Sequence, residues 1–216
     1  MRALSLFLAA LALGVGPLQA QFRQQAQDPA GLGLRGDLTF VQLSGSVGDS
    51  VGTGLGLSAD AFYEFPQYPV RTGIGGSYTR FSTEGDLGTH SKFSVHAFGS
   101  WHIADPNTAV VPYIQGNIGY AWLSDDGVTC EAYPLESPDD AGGCTAALNG
   151  REWSGPELGA AVGVDLPLGE ALNIDVAGTF SWIALGDLTA GGRGVPNTST
   201  NSSAFGLRGG FTYFPR

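Results

Sequence analysis

From residue 32 to residue 214 the sequence alternates through eight separate runs, with large apolar residues on one parity and small or polar residues on the other. A period of two sends successive side chains to opposite faces of an extended strand, so each run reads as a strand with one apolar face. The runs cover residues 32–43, 53–65, 70–81, 92–103, 109–123, 155–167, 171–184 and 203–214. In the second, Leu55, Leu57, Ala59, Ala61, Tyr63 and Phe65 oppose Gly54, Gly56, Ser58, Asp60 and Glu64. In the eighth, Phe205, Leu207, Phe211 and Tyr213 oppose Gly206, Arg208, Gly210 and Thr212. Helical periodicity is almost absent. Each run is long enough for a tilted strand to cross a bilayer, and the expected fold is all-β.

The connections alternate too. Residues 66–69, 104–108 and 167–170 are short and rich in Pro, Asn and Gly, whereas 44–52, 82–91, 124–152 and 185–202 are longer and polar. Short turns at one end and long loops at the other describe an eight-stranded antiparallel up-and-down transmembrane β-barrel, with the turns and both mature termini on the periplasmic side.

Parity alone does not say which face points inward, because a soluble barrel has the same alternation reversed. Composition decides for lipid outside. Charged residues are 14% of the chain, with Lys92 the one lysine, whereas a soluble surface of this size is normally rich in Lys and Glu. The polar parity is filled by Gly, Ser, Thr, Asn and Asp, which suit a crowded lumen. Aromatic residues lie toward the ends of the apolar rows, Phe40, Tyr78, Tyr120, Trp122, Phe180 and Trp182 near the loops and Tyr63, Phe65, Trp101 and Tyr213 near the turns. Two aromatic girdles are the mark of two membrane interfaces. The middles of the apolar rows carry no charge.

Residues 1–20 read as a secretory signal peptide, with Arg2 ahead of an apolar core from Leu4 to Val15 and a small-residue cleavage site at Leu18-Gln19-Ala20. Residues 21–31 are then a short periplasmic segment and 32–214 the barrel. Export to an oxidising compartment makes a disulfide between Cys130 and Cys144, within the longest loop, the natural reading; their spacing fits neither a metal site nor a redox motif.

The chain resembles the small eight-stranded outer-membrane proteins of the OmpA transmembrane domain, OmpX and OmpW class, the porin-family outer-membrane β-barrel domains. The resemblance spans the mature chain and is plainest in VPYIQGNIGYAW (111–122), GPELGAAVGVDLPLGEALNIDVAGTFSW (155–182) and GLRGGFTYF (206–214). It implies the outer membrane of a Gram-negative-type bacterium, with outer-membrane lipid, periplasmic chaperones and the barrel-assembly machinery as partners. One difference is that the family usually ends its last strand on an aromatic residue, whereas here Pro215-Arg216 follow Phe214.

The inward parity carries Arg35, Asp37, Asp60, Glu64, Arg71, Glu157, Asp165, Asp175 and Arg208, with His96 and His102. Eight strands enclose only enough room for side chains, so these charges must pair or hold water. Arg208, on the strand beside the first and the seventh, is expected to reach Asp37, Asp175 or, across the lumen, Asp60. Together with Arg35 and Arg71 these form the candidate lumenal network, read either as a permanent polar core or as an ion-pair plug that gates a pore.

No catalytic, cofactor-binding or metal-ligating motif is evident. His90-Ser91 beside Glu84 and Asp86 is the nearest approach to a hydrolase pair, but no GxSxG, HxH or HExxH spacing occurs. The loops hold eleven acids, Asp49, Glu84, Asp86, Asp125, Asp126, Glu131, Glu136, Asp139, Asp140, Glu152 and Asp187, against Arg80, Lys92, Arg151 and Arg193. That excess repels nucleic acid and makes cations candidate partners. The expected role is that of a structural or surface-interaction barrel, with a narrow channel for ions or small solutes as the alternative and a lipid-modifying enzyme as a third.

Overall fold

Strand pairing respects the alternation, because a slip of one residue would carry every apolar side chain of a strand to the opposite face. The computed structural model describes residues 31–45, 52–65, 68–82, 90–103, 108–125, 151–169, 171–190 and 193–215. Among them are β1 (Gly31–Gly45), β2 (Thr53–Glu64), β3 (Val70–Phe81), β4 (His90–His102), β5 (Val111–Asp125), β6 (Arg151–Pro167), β7 (Leu172–Leu185), β8 (Leu188–Ala190), β9 (Arg193–Val195) and β10 (Thr200–Tyr213). Neighbours in sequence pair antiparallel from β1 to β7, β10 pairs with β7, and β10 also pairs with β1, which closes the barrel. Leu38 thus sits between Leu57 of β2 and Gly209 of β10. Closure leaves no open edge in the ring, so every stave finds hydrogen-bond partners without water.

The apolar parity faces out. Leu38 is 70% exposed, Ile74 68% and Val162 67%, whereas Asp175 and Thr212 are fully enclosed. Aromatic side chains lean on one another around the rims, with ring centroids 4.8 Å apart for Tyr120 and Trp122, 5.0 Å for Phe180 and Phe205, and 5.1 Å for Tyr63 and Phe65.

Inward glycines make the interior fit. Large inward side chains face glycines across the registers: Phe62 lies between Gly33 and Gly73, Tyr113 opposite Gly163, and Asp60 opposite Gly75. A methyl group at Gly75 would overlap the Asp60 carboxylate, and one at Gly210 would overlap the Gly36 carbonyl and the Asp37 carboxylate. The abundance of glycine, 34 residues, is in part this large-against-small complementarity.

Two sequence expectations need correction. Eight strands form the barrel, but β8 and β9 add a small hairpin, which extends from β6 through the pairing of Glu152 with Thr189. Its return is tied down: Asp187 Oδ1 accepts hydrogen bonds from the Thr198 and Ser199 amides, each 3.1 Å, and Thr198 Oγ1 accepts one from Leu188 N at 2.7 Å. Asn197 turns the chain with φ 63°, a conformation Asn tolerates better than most residues. Lys92, counted as a loop cation, lies inside β4 and is buried in the lumen. The closing strand ends at Tyr213, which faces outward, and Phe214 just beyond it turns inward against Phe62.

Candidate functional site in the barrel lumen

The lumen is filled in tiers. At the loop end, Leu43, Phe81, Ala121, Leu123, Ile183, Leu185 and Ala204 form an apolar layer, with Val41 and Trp153 against it. Its large members come from β1, β3, β5, β6 and β7, and the Phe81 ring stands over Gly54 of β2. At the turn end Phe62, Phe98 and Phe214 form an aromatic floor, the first and last with centroids 5.7 Å apart.

Between these lies a charged belt. Arg208 Nε is 3.1 Å from Asp175 Oδ1 and 3.5 Å from Asp37 Oδ2. The register explains this, since Gly210 stands directly between Asp37 on β1 and Asp175 on β7, and Arg208 is two residues along the same strand face. Tyr113 donates to Asp175 Oδ2 at 2.6 Å and accepts from Arg208 Nη2 at 2.6 Å. Arg35 grips Asp60 Oδ2 with Nε at 2.8 Å and Nη2 at 2.5 Å, reaches Gln115 Oε1 across the barrel at 3.2 Å, and has Asp37 Oδ2 at 3.4 Å. His96 Nε2 meets the other Asp60 oxygen at 3.1 Å, and Ser58 Oγ donates to Asp37 Oδ2 at 3.1 Å. Five of the six residues singled out from the sequence, Arg35, Asp37, Asp60, Asp175 and Arg208, are therefore one connected cluster.

The sixth, Arg71, binds different acids at the turn end. It pairs with Glu64 at 2.7 Å and with Asp165, and it packs over the rings of Phe62 and Phe214 at 5.3 and 5.5 Å. His102 Nε2 is 3.4 Å from the same Asp165. Toward the loop end Lys92 Nζ meets Glu157 at 2.5 Å, bridging β4 to β6 past the small residues Gly119 and Ala121. Lys92 shares the parity of Ser94 and His96, and that parity is the signal that marks it as lumenal.

A polar cavity of about 110 Å³ lies under the apolar layer. Val41 and Ala204 belong to its roof, Lys92 and Glu157 to its wall, and Asp60, His96 and Arg208 to the belt below. Its volume suits three to four waters, at roughly 30 Å³ each. Thr39 lines it, and the Thr39 Oγ1 has no protein partner.

His90 and Ser91 begin β4, with His90 Nδ1 3.4 Å from Asp125. As consecutive strand residues they point to opposite faces, which separates them as a catalytic pair. Glu84, Asp86, Cys130 and Cys144 lie outside the described residues, as do residues 1–30. Among the described residues no group of His, Cys, Asp and Glu has the geometry of a metal site.

A closed ring of eight antiparallel staves, apolar outside and ion-paired inside, is the fold of the small eight-stranded outer-membrane β-barrels. Two solved structures of that class are similar to this chain. Neisserial surface protein A (NspA) superimposes with a TM-score of 0.58 at 16% identity, covering 86% of this chain and 98% of that one. The outer membrane protein OprG from Pseudomonas aeruginosa gives 0.54 at 12% identity, covering 89% and 98%. No family model and no curated protein matches the sequence.

Proposed function

We propose that this protein is an outer-membrane barrel with a closed lumen, whose role is structural and whose loop end presents surface to the cell exterior. The observation that carries this reading is the filled lumen: apolar layer, charged belt and aromatic floor succeed one another along the barrel axis. The outward apolar rows and their aromatic rims support residence in a lipid bilayer, and the fold of NspA and OprG supports the outer membrane. The turn end is then periplasmic. A cleaved leader at residues 1–20, a disulfide between Cys130 and Cys144, assembly by periplasmic chaperones and the barrel-assembly machinery, and cation attraction by the acidic loops belong to the same reading. The β8–β9 hairpin, whose base is held by Asp187 and Thr198, adds an ordered element at the loop end.

The test is conductance of the purified, folded chain in planar bilayers. Silence at high protein density is the expected result. Discrete openings would overturn the closed reading and favour the alternative, a narrow channel for ions or small solutes, which the polar cavity supports.

A further inference from the structure

We infer that the apolar layer at the loop end, rather than the charged belt, is the barrier that keeps ions and bulk water out of the lumenal cavity from that side. The inference rests on the closed reading of the lumen and says which part of the structure closes it. Its basis is the order of the tiers. Val41 and Ala204 form the roof of the cavity, and Leu43, Phe81, Leu123, Ile183 and Leu185 join Ala204 in the same apolar cluster. Ile183 and Ala121 are fully enclosed there. None of these side chains has a polar atom, so an ion or water passing between them sheds hydration and gains nothing in exchange.

The belt is different in kind. Its members, Arg208, Asp60 and His96, line the cavity from below and are good hydrogen-bond partners for water. Lys92 and Glu157 likewise form a polar wall. Charged groups that already face a cavity of this size do not exclude water from it; they recruit it. The ion pairs therefore organise the chamber, and the layer above isolates it.

Accessibility of a thiol inside the chamber separates the two roles. Ser94 lines the cavity, is buried, and shares a 2.9 Å hydrogen bond with Ser77. The probe is Ser94→Cys in the full chain with Cys130→Ser and Cys144→Ser, folded in detergent and exposed to silver ion in nitrate buffer. With the rest of the lumen native, the thiol is expected to be protected. Leu123→Ser with Ile183→Ser should raise its reaction rate by about tenfold or more, by giving the constriction polar atoms and room for water. Arg208→Met and Lys92→Met should leave it protected. Leu43→Ser is the milder second variant, and heat-modifiable mobility on gels verifies that each variant is folded.

Reaction of Ser94→Cys at the rate of an exposed thiol in the otherwise native barrel would overturn the closed reading itself. Protection there, followed by exposure on replacing Arg208 or Lys92 as great as on replacing the layer, would overturn this inference and leave the closed reading standing. Continued protection in both layer variants would overturn it as well.

Discussion

The charged belt around Arg35 and Arg208 and the apolar layer around Ile183 fill the same tube, and they fill it by different physics. In the belt each group is held by direction. Arg208 answers Asp175 and Asp37, Tyr113 links Arg208 to Asp175, and Arg35 answers Asp60. Such a cluster is stable as a unit but costly to break, because a lone buried charge keeps its desolvation penalty and loses its compensation. In the layer no contact is directional, and stability scales with the apolar volume removed from water. The belt thus fixes which side chains meet, while the layer excludes water whatever its detailed arrangement.

The largest effect expected is that of Arg208→Ala, which leaves Asp175 and Asp37 with a weakened set of partners. Its cost should be about 3–5 kcal/mol, read from urea unfolding of the folded barrel in lipid vesicles. A loss below about 1 kcal/mol would mean that the belt behaves like ordinary packing. Replacing Arg208 and Asp175 together, by Met and Asn, should cost less than Arg208→Met alone, since no uncompensated charge remains at that pair.

Ile183→Ala tests the other region. Deleting a fully enclosed side chain from the layer should cost roughly 2–5 kcal/mol in the same assay, the spread reflecting how far the layer collapses into the gap. A companion change of Leu123 should couple to it, and strict additivity would show that the layer is not a single packed unit.

Gly210→Ala probes the joint between backbone and belt. The added methyl meets the Gly36 carbonyl and the Asp37 carboxylate, so a loss of about 1–3 kcal/mol is expected. An unchanged midpoint would show that Asp37 has room to move.

The smallest effect sharpens the comparison at the cavity between the regions. Thr39→Val removes the hydroxyl that has no protein partner. If water fills the cavity, the change costs about 1 kcal/mol through a lost hydrogen bond. A stabilised variant would show a dry chamber.

The architecture was legible because its cause is local. Leu57, Ile74, Val95, Ile118, Val162 and Val176 declare the outward face by parity, and the structure places all of them outward. The apolar layer was harder to read. Leu43, Phe81, Leu123, Ile183 and Leu185 hold the inward parity but are apolar, so from sequence the alternation simply fades at the loop ends of β1, β3, β5 and β7. Lys92 was lost for a related reason. It stands at the edge of its run, where a lone cation looks like a loop residue, although two steps along the chain Ser94 shares its face. The pairing of inward glycines with large side chains was present in the composition, but only register shows that Gly75 belongs to Asp60 and Gly163 to Tyr113.

By itself the sequence determined the strands, their two faces and the up-and-down order, since a period of two and the spacing of turns are properties of neighbouring residues. Tertiary structure alone decided the partners inside: Arg35 with Asp60 and Gln115, Arg71 with Glu64 and Asp165, Lys92 with Glu157. Those choices depend on how far each strand is offset from the next, summed around a closed ring. Many offsets preserve the alternation, and only closure of the whole barrel selects one of them.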